Sequence, residues 1–262
     1  MLIKDHTGFQ LTLVDRPERI VSLVPSQTEL LADLGLNDRV LGLTRFCVHP
    51  DDWRKTKVIV GGTKNVDMRK LELLKPDLVI GNKEENDRAQ IEAIRTMAPV
   101  FTTDVKTLQD ALNMIADIGL ITDASGEAAA ICNAIKSRFR PFTQTGFCTS
   151  CAYLIWQNPI MTVSTNTFIH DMLRIAGFEN VFANFGPARY PEITIDDLIS
   201  KKPQVILLSS EPYPFRKKHL DFFAKYCPGS SVAFADGEMF SWYGSRLVKF
   251  DPMPLRKSLD LD

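Results

Sequence analysis

Between Arg19 and Gly35 the chain reads RIVSLVPSQTELLADLG, passing within a few residues from a short apolar, β-branched run to an amphipathic helical pattern. A chain that makes this change must use a fold in which strands feed directly into helices. Ile20 to Val24 is the predicted strand, Pro25-Ser26 breaks it, and Ser26 with Glu29 three residues later predicts a capping box at the start of the helix. In an open α/β sheet, small molecules sit beyond the carboxyl ends of the strands, where helix N-termini offer unpaired N–H groups. The junction is therefore expected to face a ligand.

The same organisation recurs along the chain. Val40 to Leu43, Leu78 to Gly81 and Val100 to Thr102 are further short apolar runs separated by polar or helical stretches, which predicts a mostly parallel sheet. Lys75-Pro76-Asp77 ends a helix and opens a strand, because proline removes a donor and disfavours a helical residue before it. The second half repeats that device with Lys202-Pro203-Gln204 before Val205 to Leu208, and Tyr153 to Trp156 supplies a strand like Ile20 to Val24. Two similar α/β lobes follow, 1–123 and 143–262, with 124–142 as a connecting helix. Ala124, Ala128, Ile131, Ile135 and Phe139 fall at helical spacing and Pro141 stops the helix. Sixteen residues from Ser125 to Arg140 would reach about 24 Å, enough to pass from one lobe to the other. An ordinary surface helix of one α/β domain is the alternative.

Composition narrows the function classes. Lys and Arg number 31 against 32 Asp and Glu, a formal net charge of -1, so no general basic field recruits nucleic acid or an anionic membrane. No apolar run approaches the ~20 residues that span a bilayer, and MLIKDHTGFQ lacks the charged-then-apolar order of a signal peptide. The five cysteines are an odd number, which argues for a reducing compartment over a secreted disulfide framework. Cys148-x-x-Cys151 has no second ligand pair for zinc, and it runs into a predicted strand where a redox dithiol would need a helix N-terminus, so free thiols are expected. Nucleophile elbow, Walker loop, dinucleotide glycine pattern and HExxH are all absent. No catalytic and no metal-ligating set is expected.

The loops between predicted elements carry aromatic and amphipathic residues suited to a large planar ligand. After Val40 to Leu43 come Arg45, Phe46, Cys47 and His49-Pro50. The second half adds Trp156-Gln157, Tyr190 within Ala188 to Glu192, Glu211 to Phe215, and Trp242, Tyr243 and Arg246 within Phe240 to Arg246. Some of these aromatics could simply cover the edges of the two cores. Arg45 and Arg246 offer planar paired donors to carboxylate, amide or phosphate groups, or form surface salt bridges. His49 could ligate a metal centre or serve as a turn residue before proline.

Asp5-His6-Thr7-Gly8, Pro17 to Leu23, Gly61-Gly62-Thr63 and the stretch Tyr190 to Leu208 together resemble the cobalamin and ferric-siderophore binding proteins that serve class III ABC importers. The resemblance implies two Rossmann-like α/β lobes with central, mostly parallel sheets joined by a single long α-helix, closing by only a few degrees. It places Phe46 and Tyr190 as aromatic walls around a corrin and Trp242 in a third ligand-facing loop. Gly-Gly-Thr becomes the turn before the first docking helix. The two acids by which such receptors meet their permease fall on Arg69 and Asp196, and Glu72, on the same helical face as Arg69, takes over the reversed position. What is implied is a monomeric, non-enzymatic receptor without cofactor for a metal chelate, cobalamin ahead of ferric siderophore or haem, with an ABC permease as partner. Its place would be periplasmic or membrane-associated, whereas the cysteines leave a cytoplasmic one open. Two other readings stand beside it: a chelatase-like, tetrapyrrole-handling protein using His49 or Glu211 as acid-base groups, and a redox protein using Cys148 and Cys151.

Overall fold

The computed structural model describes residues 1–142 and 148–261. Its packing divides the chain into two units. The first comprises Met1–Val105, Gln109–Lys136 and Tyr243–Val248, and the second Lys106–Leu108, Ser137–Trp242 and Lys249–Asp262. The expected start of the second lobe, residue 143, lies outside the described residues.

The chain opens with an antiparallel pair, β1 (Leu2–Lys4) and β2 (Gln10–Thr12). There follow β3 (Ile20–Ser22), α1 (Pro25–Asp33), β4 (Val40–Leu43), α2 (Trp53–Thr56), β5 (Val58–Ile59), α3 (Met68–Leu74), β6 (Leu78–Asn82), α4 (Arg88–Arg95), β7 (Val100–Thr103), α5 (Leu108–Ile121) and α6 (Ser125–Phe139). The strands form a five-stranded sheet in the order β5-β4-β3-β6-β7, every pairing parallel. Every residue of β3, β6 and β7 is buried, which is why these segments read as unbroken apolar runs: a parallel strand covered on both faces has no polar alternation. Val21, Val79 and Val100 of the sheet, with Leu23 just after β3, meet Leu71 of α3 and Ile91 and Ile94 of α4 in one core. The division between the units falls within α6.

The predicted capping box on α1 does not form. Val24 is the N-cap, in extended conformation and without a side-chain cap, and Pro25 occupies the first turn. Proline's fixed φ already suits that turn and its missing N–H needs no acceptor, so Ser26 lies inside the helix. Ser26, Gln27, Thr28 and Glu29 are all buried.

The second unit contains β8 (Thr149–Trp156), β9 (Ile160–Thr162), α7 (Phe168–Ile175), β10 (Phe178–Asn180), β11 (Glu192–Ile193), α8 (Ile195–Lys201), β12 (Val205–Ser209), α9 (Lys217–Tyr226), β13 (Ser231–Ala235), α10 (Gly237–Ser241) and α11 (Met253–Ser258). Its sheet runs β11-β9-β8-β12-β13 with β10 also on β8. The pairings β8–β12, β12–β13 and β8–β10 are parallel, whereas β9 and β11 join antiparallel. The core gathers Ala152, Leu154, Ile206, Leu208, Phe182 and Phe223. The strands β1, β2, β5, β9, β10, β11 and β13 escaped the sequence reading; all but β13 are two or three residues long, too short to carry a period. The repeated Lys-Pro device is present in both units: α3 ends on Lys75 at φ 44° and α8 on Lys202 at φ 47°, each left-handed and each leading through proline into a central strand.

Candidate ligand-binding site

In the first unit, the loop after β4 is pinned from below. Thr28 Oγ1 of α1 lies 2.7 Å from Ser22 Oγ and 3.1 Å from Cys47 Sγ, and Thr44 Oγ1 lies 3.2 Å from the same sulfur. Burial pushes the Cys47 thiol up from its ordinary range, so it acts here as a neutral hydrogen-bonding group. The loop is tied laterally as well, since Arg45 donates its backbone N–H to Gly61 O at 2.9 Å. Gly61 has φ +114°, and a Cβ there would lie 2.4 Å from Asn65 O, so the Gly-Gly-Thr turn before α3 needs glycine at this position. On this support Phe46 stands 51% exposed, with the Arg45 guanidinium 5.4 Å from its ring centroid. His49 is half-buried, its Nδ1 3.6 Å from Asp51 Oδ1. Tyr243 is buried, and Arg246 is held by Glu29 through a two-point ion pair.

In the second unit, Trp156 ends β8 at 38% exposure, donating its ring N–H to Asn158 O and meeting Tyr213 edge to face at 5.3 Å. Tyr213 continues the aromatic group to Phe215 and His219, whose ionisation burial disfavours. Tyr190 is half-buried in the loop before β11. Trp242, expected on a ligand-facing loop, is only 7% exposed and directs its ring N–H to Glu211 Oε1 at 2.9 Å. Ser241 Oγ donates to the same oxygen at 2.6 Å. Burial lifts the Glu211 carboxyl above its ordinary value, with Glu238 and Asp236 adding to the rise and the two donors opposing it.

The residues expected to meet a partner are exposed. Glu72 and Arg69 lie on α3, and Asp196 in the first turn of α8. The capping box absent from α1 is built on α8, where Thr194 Oγ1 accepts from Asp197 N at 3.1 Å and Asp197 Oδ2 accepts from Thr194 N at 2.8 Å. The Thr194 hydroxyl, donating to Asp197 Oδ2 at 2.6 Å, and then the Thr194 backbone N–H hold the Asp197 carboxyl below its ordinary range.

All five cysteines are free thiols. Cys148 is exposed and donates to Glu179 Oε2 at 3.3 Å, whereas Cys151 is buried in the middle of the sheet, its thiol pushed far up by burial. Among the described residues, no group of three or more His, Cys, Asp or Glu side chains is placed to hold a metal ion, and no helix is long and apolar enough to cross a membrane.

Sequence reasoning took Glu29 for a cap and missed its partnership with Arg246, for which the chain offers no local signal. It likewise gave no sign that Ser241 and Trp242 would share one oxygen of Glu211.

The vitamin B12-binding protein of Vibrio parahaemolyticus is 26% identical over 208 residues, covering 76% of this chain and 74% of its own. An uncharacterized ABC transporter substrate-binding lipoprotein of Bacillus subtilis is 27% identical over 217 residues, covering 78% and 68%. Among solved structures, the periplasmic vitamin B12 binding protein BtuF of Vibrio cholerae matches with a TM-score of 0.79 at 19% identity, over 94% of this chain and 98% of its own. The periplasmic haem-binding protein BhuT, solved with two haems, matches with a TM-score of 0.79 at 20% identity, over 93% and 98%. These likenesses establish the two-lobe α/β fold. Residues 20–228 match the family described as periplasmic binding protein, most of the chain, and it is to this family that the protein belongs.

Proposed function

We propose that this protein is a receptor for a metal chelate, a corrinoid ahead of a ferric siderophore or haem, which it presents to an ABC importer without chemical turnover. The observation that carries this reading is the exposure of Phe46, on the loop after β4, and of Trp156, the last residue of β8. Large aromatic side chains held open on rigid supports suit a broad, flat ligand bound chiefly by apolar contact. Relatives named for vitamin B12 and a fold shared with haem-binding receptors support the same ligand class. The exposed Asp196 and Glu72 are the proposed contacts to the permease.

A redox role has less support, since Cys151 is buried within a strand and the Cys148 thiol is turned to a carboxylate that disfavours its ionisation. The test is titration with cyanocobalamin, followed by tryptophan fluorescence and calorimetry, with haemin and a ferric siderophore in parallel. Saturable one-to-one binding at micromolar or tighter affinity is expected for the corrinoid. Binding of none of the three would overturn the receptor reading.

A further inference from the structure

The parallel strands β8, β12 and β13 are neighbours, so their carboxyl ends share one edge of the second unit. Trp156 and Gln157 stand at the end of the first, Glu211 two residues beyond the second, and Asp236 directly after the third. Glu211 is held closely. Ser241 and Trp242 both donate to Oε1, which leaves Oε2 without a donor among the described residues. Ser209 Oγ donates to the Glu211 backbone carbonyl, and Tyr153 Oη donates to Ser209 Oγ at 3.0 Å, tying this turn to β8. Gly237 closes the other side: a Cβ there would lie 2.4 Å from Glu211 Cγ, so only glycine lets α10 approach so near. On the adjoining strand end Gln157 is 9% exposed, and its Oε1 is buried with no hydrogen-bond partner among the described residues. Two acceptors at one sheet edge thus lack donors.

We infer that Glu211 sets which chelates this receptor takes, accepting through Oε2 an amide N–H or hydroxyl from the ligand's rim and turning away ligands that present a carboxylate there. This rests on the receptor reading above and narrows it to chelates fringed with neutral donors. A corrinoid carries acetamide and propionamide groups around its ring, whereas haem carries propionates. A second anion beside a half-buried carboxylate, with Asp236 close by, meets like-charge repulsion in a poorly solvated place. Trp242 Nε1 can only donate, so Oε1 stays an acceptor and Oε2 is the oxygen that answers the ligand.

Three ligands separate the possibilities: cyanocobalamin, dicyanocobinamide (which keeps the amide fringe but lacks the nucleotide) and haemin. Each is titrated into wild type and Glu211→Gln, with melting temperature as the check on folding. The wild type should favour both corrinoids over haemin by roughly tenfold or more, and Glu211→Gln, whose amide can donate to a propionate, should reduce that preference by about tenfold. If Glu211→Gln does not fold, Glu211→Met, of similar length and without charge, is expected to lower the preference in the same direction. Equal preference in wild type and folded variant, or a wild type that favours haemin, would overturn the inference while leaving a chelate receptor. Binding of none of the three by any of the proteins would remove the receptor reading and the inference with it.

Discussion

Arg246 and Glu29, 217 residues apart in the chain, meet as a two-point ion pair, Nε to Oε2 at 2.8 Å and Nη2 to Oε1 at 2.9 Å. The side chains are only 18% and 9% exposed, so neither charge is well solvated. Removing one partner leaves the other's charge in a poorly hydrated place. Arg246→Met should therefore lower stability by about 3 kcal/mol, while the double variant Arg246→Met, Glu29→Leu should recover part of the loss. Urea unfolding of the three proteins checks this. A loss well under 1 kcal/mol in the single variant would mean that water reaches the carboxylate.

Phe46 offers the opposite case, a large apolar side chain with half its surface open and its backbone fixed by the contacts beneath it. Phe46→Ala should leave stability within about 0.5 kcal/mol of wild type, because little packing is lost. Its affinity for cyanocobalamin should fall about tenfold, in keeping with a removed aromatic wall. Trp242→Ala is no substitute for this test: that ring is buried and bonded to Glu211, so the variant would confound folding with binding.

The difference between these residues marks how far the sequence could be read. Continuous apolar runs such as Leu78 to Gly81 and Val205 to Leu208 declared buried parallel strands, because burial on both faces leaves no polar alternation. Ala128, Ile135 and Phe139 likewise declared α6. Ser26 and Glu29 misled, since a proline at the first turn made the cap unnecessary and freed Glu29 for Arg246. Nothing local could announce that pairing, nor that Trp242 would be turned inward, because each depends on a chain segment distant in sequence. Position between the expected elements showed which aromatics stood in loops, but not which of them stayed exposed.

Glu211 makes stability depend on pH in a direction unusual for a carboxylate. Burial raises its pKa above the ordinary 4.5, so between that value and the raised one the native state keeps a proton that the unfolded chain has released. Stability contributed by the neutral form is fully present below the unfolded pKa and is lost as pH rises through the folded one. Glu211→Gln cannot titrate. Its stability relative to wild type should therefore improve between about pH 4 and about pH 7. Paired urea titrations at the two pH values measure this. A difference that stays flat or moves the other way would place the folded carboxyl at or below its ordinary value.

Asp196 is exposed in the first turn of α8, apart from the capping bonds that Thr194 and Asp197 make. Asp196→Arg should leave cyanocobalamin affinity unchanged and weaken capture of the loaded receptor by vesicles containing the cognate permease. Loss of ligand affinity would instead assign Asp196 to the binding site.

Lys75 and Lys202 share an awkward backbone. Each ends a seven-residue helix in the left-handed region, at φ 44° and 47°, where a Cβ crowds the following carbonyl. Glycine would relieve that crowding, typically about 1 kcal/mol or more, and would return part of the gain through the greater freedom of the unfolded chain. Lys75→Gly and Lys202→Gly should each raise stability by about 0.5 kcal/mol, or about 1 to 2 °C in Tm for a chain of this size. Alanine keeps the Cβ, so Lys75→Ala and Lys202→Ala separate backbone relief from loss of the charge. Gain in the glycine variants alone would show that both helices are held in this conformation by the strand that follows them. Equal gain with alanine would attribute the effect to the lysine side chains.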